Sequence, residues 1–156
     1  MSNDITAIKQ VLAAYCHRVD RGTPAEVAAL FAEDAVLRPF YDGRYEVRGR
    51  EAIQSWYAYY EAHFKAGVRH LKHMIMSPLI DVQGRRATGV SYLLASAVSK
   101  QTGEGFIATG TYYDEFTLKD GHWLFATRQI EVEMMPTPSK AIEQFPPLGF
   151  PHGVAV

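Results

Sequence analysis

Apolar side chains recur at Ile5, Ile8, Leu12, Tyr15 and Val19, three or four positions apart. That spacing places them on one stripe of a helix over Ser2 to Arg21, which Gly22 ends. Thr23-Pro24 reads as an N-cap with proline in the first turn, opening a short second helix with Val27, Leu30 and Phe31 inward. Ala35 to Phe40 then reads as a short strand, Tyr41 to Arg44 as a turn and Tyr45 to Val47 as the returning strand. Gly49 opens a third helix with Ile53, Trp56, Tyr57, Tyr60 and Phe64 on one side, and Gly67 closes it. The rest is β-rich, with strands expected over His70 to Val82, Arg86 to Ser99, Gly105 to Lys119 and His122 to Met134. Gln83-Gly84 and Asp120-Gly121 are tight-turn signals between them. This order predicts an α+β fold: a curved antiparallel sheet, bent into a cone or barrel against three N-terminal helices, with an apolar pocket inside.

Alternation within the last two strands singles out two residues. From Phe106 to Leu118 the even positions are mostly apolar and Asp114 is the exception. From Leu124 to Met134 the even positions are again apolar and Arg128 is the exception, although Trp123 and Phe125 show that the other face is also partly covered. An ionised group on a buried face needs a partner. Asp114 and Arg128 are therefore either an ion pair or two polar groups lining a ligand cavity.

Composition narrows the function classes. A length of 156 residues predicts one domain. We place it over residues 1–135, with a Pro-rich tail over 136–156 that packs on the domain or on a neighbouring subunit. The net charge of -1, with acids and bases interspersed, offers no stripe for nucleic acid and no polybasic block for a membrane surface. No apolar run approaches the ~20 residues that cross a bilayer, and the N-terminus does not read as a secretory signal. One cysteine, Cys16, precludes an intrachain disulfide and fits the cytoplasm. Neither HxH nor HExxH occurs on one face, so no metal is expected.

The chemistry concentrates in two segments. Tyr15 and Asp20 lie five apart on the first helix, and His70 and His73 open the first long strand. A carboxylate beside an imidazole makes a general base without metal or cofactor, and a nearby phenol can donate a hydrogen bond. Strand alternation puts His70 and His73 on opposite faces, with His73 the stronger candidate.

The stretches Ala14-Tyr15-Cys16-His17-Arg18-Val19-Asp20-Arg21-Gly22 and Ala29-Leu30-Phe31-Ala32-Glu33-Asp34-Ala35-Val36 resemble the SnoaL-like, nuclear-transport-factor-like superfamily. So do Gly49-Arg50-Glu51-Ala52-Ile53, His73-Met74-Ile75-Met76-Ser77-Pro78-Leu79-Ile80, and Tyr112-Tyr113-Asp114-Glu115-Phe116 with Asp120-Gly121-His122-Trp123. The resemblance spans about residues 5 to 134. It implies the cone-shaped fold but not one activity. The base acid of ketosteroid isomerases falls on Leu37-Arg38-Pro39, which has no carboxylate. The second histidine and pocket serine of scytalone dehydratase fall near Ala97 and Gly110, which argues against its particular substrate.

The site pattern is nearest to bile-acid dehydratase, scytalone dehydratase and hexachlorocyclohexane dehydrochlorinase. That resemblance assigns catalysis to Asp20, His73 and Tyr15, and a pocket arginine to Arg128. The pocket would be completed by Asp114, Tyr112, Trp56, Tyr60, Phe31, Tyr92 and Phe116. The expected function is a cofactor-independent lyase, dehydratase or dehydrohalogenase in type, acting on a hydrophobic cyclic small molecule. The alternatives are a steroid- or polyketide-type isomerase or cyclase using the same residues, and a non-catalytic ligand-binding subunit. A homo-oligomer, trimer or dimer, is expected through the outer face of the sheet.

Overall fold

A computed structural model describes residues 2–39 and 45–134. Helix α1 spans Ser2–Arg21, and the apolar stripe is its buried face: Ile8, Leu12, Tyr15 and Val19 are each at most 4% exposed. A capping box then starts α2 (Pro24–Ala28). Thr23 accepts from the Glu26 backbone N–H, and the Glu26 carboxylate accepts from the Thr23 N–H at 2.7 Å. Strand β1 (Phe31–Arg38) follows at once. The second helix is thus shorter than expected, and the strand starts at Phe31 instead of Ala35. Buried apolar residues at short spacing suit a covered strand as well as a helix. Strand β2 (Val47–Arg48) pairs antiparallel with β1.

Helix α3 (Arg50–His63) begins after Gly49, which has a φ of 87° and donates its N–H to the Ala35 carbonyl at 2.8 Å. A residue with a Cβ is strained in that left-handed region, so glycine suits the position. A 3-10 turn at Lys65–Gly67 leads into β3 (Val68–Gln83), β4 (Arg86–Ser99), β5 (Gly105–Lys119) and β6 (His122–Met134). Positive φ at both Asp120 and Gly121 gives the β5–β6 hairpin the backbone of a type I′ turn.

The sheet has six strands in the order β2-β1-β6-β5-β4-β3. The pairing of β1 with β6 is parallel, and the sheet curves without closing. The expected α+β fold of three helices on a curved sheet is thus present, with β1 on β6 the one parallel pairing among otherwise antiparallel neighbours. Strand β1 reaches β6 across the length of the chain, so no local turn signal specifies the direction of pairing.

Bulges decide which side chains face inward. Strand β3 slips against β4 at His70 (φ 57°) and at Ser77 (φ 49°), and each slip exchanges the two faces. The inward set is Val68, then Leu71, His73 and Ile75, then Pro78, Ile80 and Val82. In β6, Phe125 and Thr127 oppose consecutive residues of β5, which leaves Ala126 as the extra residue. Trp123 and Phe125 are therefore buried before the bulge and Arg128 after it. A uniform even-numbered inner face along β6 is corrected accordingly.

The core lies between α1, α3 and the inner face of the sheet, around Phe31, Phe116 and Phe125. Among the described residues no helix is long and apolar enough to cross a membrane. The expected turn at Tyr41 to Arg44 and the tail over 136–156 lie outside the described residues.

Candidate functional site

Helix α1 runs along β3, which forms one edge of the sheet. The outward N–H groups of an edge strand need acceptors, and α1 supplies them. The Asp20 carboxylate accepts from the His73 backbone N–H at 3.0 and 3.2 Å. The same Asp20 carboxylate meets the His73 ring, with Oδ1 2.6 Å from Nδ1. Asp20 is thus held at three points, and its side chain is only 6% exposed against 12% for His73. With Nδ1–H donating to Asp20, the lone pair lies on Nε2.

His73 forms part of the wall of a cavity of about 100 Å³ on the inner side of the sheet. That is of the order of the ~150 Å³ cavity known to admit one benzene ring. Trp56, Tyr60 and Phe64 from α3 and Phe106 from β5 give it aromatic walls, with Trp56 and Tyr60 stacked at 5.6 Å. Among the described residues the lining contains no Asp, Glu, Lys or Arg. Its polar groups include the Tyr15 and Tyr57 hydroxyls, which hydrogen-bond each other at 2.8 Å. Burial raises the Tyr15 phenol above its ordinary value and pushes Tyr57, Tyr60 and Tyr112 well above it. These phenols stay protonated near neutral pH and are able to donate hydrogen bonds. One O–H of the Tyr15–Tyr57 pair joins the two oxygens, which leaves one proton to donate elsewhere.

The other residues singled out from the sequence fall into distinct places. Tyr15, His73, Trp56, Tyr60 and Tyr112 line the cavity, while Asp20 stands behind His73. His70 is exposed at the first β3 bulge. Asp114 and Arg128 lie outside the lining and bond each other in a bidentate pair at 2.8 and 2.9 Å. Arg128 has no exposed surface, and its guanidinium carbon is 4.0 Å from the centroids of Tyr15 and Tyr112 and 4.3 Å from that of Phe125. Burial works against the Arg128 charge, but the Asp114 carboxylate holds it and raises the guanidinium pKa. Burial raises the Asp114 carboxyl, against the pull of Arg128.

Of the two readings of this pair, the geometry is that of a buried ion pair beneath the cavity wall. Phe31 and Phe116 are core residues outside the lining. Tyr92 is 57% exposed on the outer face of the sheet. Asp114, Arg128, Phe31, Phe116 and Tyr92, expected in the pocket, thus lie outside the lining of this cavity. Tyr57, Phe64 and Phe106 line the cavity but were not among the expected site residues. The signal for Tyr57 and Phe64 was the α3 aromatic face, on which both sit with Trp56 and Tyr60. Cys16 is buried, which pushes its thiol up to about 11. No group of three or more His, Cys, Asp or Glu among the described residues is placed to hold a metal ion.

Comparison with known proteins bears on this arrangement. No curated protein matches the chain. A protein of unknown function from Mycobacterium tuberculosis shares 27% identity over 85% of this chain and 78% of its own, with a TM-score of 0.73. A protein named a putative scytalone dehydratase, from Novosphingobium aromaticivorans, shares 25% over 86% of this chain and 90% of its own, with a TM-score of 0.75. One named a putative aromatic ring hydroxylase, from the same organism, shares 22% over 90% and 97%, with a TM-score of 0.75, and speaks only for the fold. The model of the SnoaL-like domain matches residues 1–129, and the chain belongs to that family.

Proposed function

We propose that the protein is a cofactor-independent lyase, eliminating water or hydrogen halide from a neutral, hydrophobic, cyclic small molecule. The observation that carries this reading is the Asp20–His73 contact, 2.6 Å at Nδ1, with the imidazole in the wall of an uncharged aromatic cavity. Asp20 fixes the tautomer, and Nε2 removes a proton from the carbon beside the leaving group. The electron pair of that C–H bond becomes the second bond of the alkene as the leaving group departs with its own pair. A hydroxide leaves as water by taking a proton from the imidazolium, and a halide leaves as the anion. The remaining proton of the Tyr15–Tyr57 pair donates to the charge that develops. Aligned proton transfer supplies roughly 10²–10⁴-fold, and the donor adds electrostatic stabilisation. The protein named a putative scytalone dehydratase supports the reaction class by similarity.

The test is a panel of hydroxylated and halogenated monocyclic compounds, followed by mass spectrometry for lost water and by halide release. In Asp20→Asn the amide donates to Nδ1 and forces the proton onto Nε2, so turnover falls by about 10²–10⁴. Imidazole ¹⁵N shifts report the tautomer independently. Unchanged turnover in both Asp20→Asn and His73→Ala would refute the mechanism. A product of unchanged mass would point to an isomerase or cyclase, and undiminished ligand binding without turnover to a binding subunit.

A further inference from the structure

Asp20 and His73 are 53 residues apart in the chain, so their contact depends on how the end of α1 is held against the start of β3. Both partners stand where a fold is loosest. Asp20 lies in the last turn of α1, whose carbonyls have no partner within the helix and whose dipole disfavours a carboxylate. His73 lies on an edge strand that pairs on one side only, with β4. A contact of 2.6 Å between two such groups needs a second tie.

Lys65 supplies one. It opens the 3-10 turn Lys65–Gly67, which leads directly into β3. Its Nζ donates to the Gly22 carbonyl, two residues beyond Asp20, at 2.9 Å. The ammonium thus lies at the C-terminal end of α1, where a cation is favoured. Glu61, one turn earlier, holds the amine at 3.4 Å, and the Lys65 side chain is only 19% exposed. The turn itself is pinned on its far side by Lys100, just after β4. Lys100 donates from Nζ to the Ala66 carbonyl at 2.8 Å and from its backbone N–H to the Gly67 carbonyl at 3.0 Å. Lys65 therefore couples the helix that carries Asp20 to a turn already fixed on the sheet. It is not part of the cavity lining and acts from outside it.

We infer that Lys65 is a positioning residue for the Asp20–His73 pair, clamping the end of α1 to the turn that opens β3. The consequence for turnover rests on the lyase reading above; the consequence for the imidazole does not. Arg18 provides the contrast. Its Nη1 donates to the Glu26 carbonyl at 2.8 Å, which ties the same end of α1 to α2 and not to β3.

Proton NMR of the His73 Nδ1–H, with the ¹⁵N shifts of its ring, tests this on the full chain without substrate. In the wild type that proton should be protected and the tautomer single. Lys65→Met should keep the circular dichroism of the fold, speed exchange of the proton ~10-fold or more, and lower kcat by up to about 10²-fold with KM little changed. Lys65→Arg, which keeps a cationic donor, should restore both. Gly22→Ala moves the acceptor instead, since its Cβ would come 2.8 Å from the Arg18 carbonyl oxygen, and should disturb the same proton. Arg18→Met should lower the melting temperature by a similar amount and leave the ring signal unchanged. A His73 signal unaltered in both Lys65→Met and Gly22→Ala would overturn the inference. So would an equal change in Arg18→Met, because general fraying of the helix end would then explain all three. Failure of Lys65→Arg to restore the signal would overturn the role of the cationic donor. An altered ring signal with no elimination from any compound would support the clamp and count against the lyase alone.

Discussion

Removing the carboxylate of Asp114 tests how the inner face tolerates a buried charge. In the native protein Arg128 is 0% exposed and Asp114 5%, joined by two hydrogen bonds of 2.8 and 2.9 Å. Asp114→Asn leaves the guanidinium in place, and arginine cannot neutralise itself by losing a proton. Its Nη1 already has no hydrogen-bond partner among the described residues, so little is at hand to compensate. The expected cost is about 3–5 kcal/mol, equivalent to a melting temperature lower by about 6–20 °C for a domain of this size. The ring faces of Tyr15, Tyr112 and Phe125 still hold the cation, which keeps the loss at the lower end of that range.

Arg128→Met behaves differently, because the abandoned Asp114 can take up a proton. Its carboxyl is raised by burial, and without Arg128 nothing pulls it back. A group whose folded pKa is raised favours the native state at low pH and loses that contribution as pH rises through the folded value. Arg128→Met should therefore gain stability as pH falls through the raised value toward the ordinary carboxylate range, whereas Asp114→Asn should not. The double variant Asp114→Leu/Arg128→Met should recover most of the single-variant loss. Urea titrations with linear extrapolation measure all of these. A cost below about 1 kcal/mol for Asp114→Asn would refute the reasoning, and so would a double variant no better than the worse single.

Cys16 should resist alkylation. Its thiol, pushed up to about 11 by burial, carries about 100-fold less thiolate near neutral pH than an ordinary cysteine, and it is buried besides. Iodoacetamide should label the protein in urea and spare it in buffer; equal rates would contradict the burial. Stability should also fall in acid. Hydrogen bonds from Thr23 hold the Glu26 carboxyl below its ordinary value of 4.5. The native state then binds fewer protons than the unfolded chain, so this contribution is present above about 4.5 and lost as pH falls through the lowered value. Melting temperature against pH should be flatter at the acid end in Glu26→Gln, and curves of identical slope would count against the capping box.

How much of the site could be read in advance depended on whether each residue acts locally. The stripe of α1, the capping residues Thr23 and Glu26 and the hairpin residues Asp120-Gly121 are set by neighbours a few positions away. The bounds of β4, β5 and β6 followed from alternation and turn chemistry for the same reason. Tyr15 and Asp20 were visible because both sit on or beside one helical stripe.

The direction of β1 on β6, the flips of face at His70, Ser77 and Ala126, and the meeting of Asp20 with His73 are not local. A bulge adds one residue and reverses every side chain beyond it, and no spacing rule in the strand announces it. That is why His73 faces the cavity and His70 does not, whereas Tyr92, on the unbulged β4, lies outside by plain alternation with the buried Leu93. The sequence alone determined which segments would be helix or strand and which residues carried chemistry, because propensity and periodicity act over a few residues. Only the tertiary structure decided which of those residues share a cavity and that Asp114 and Arg128 neutralise each other. Those outcomes depend on registry between strands and on burial, which are properties of the packed sheet as a whole.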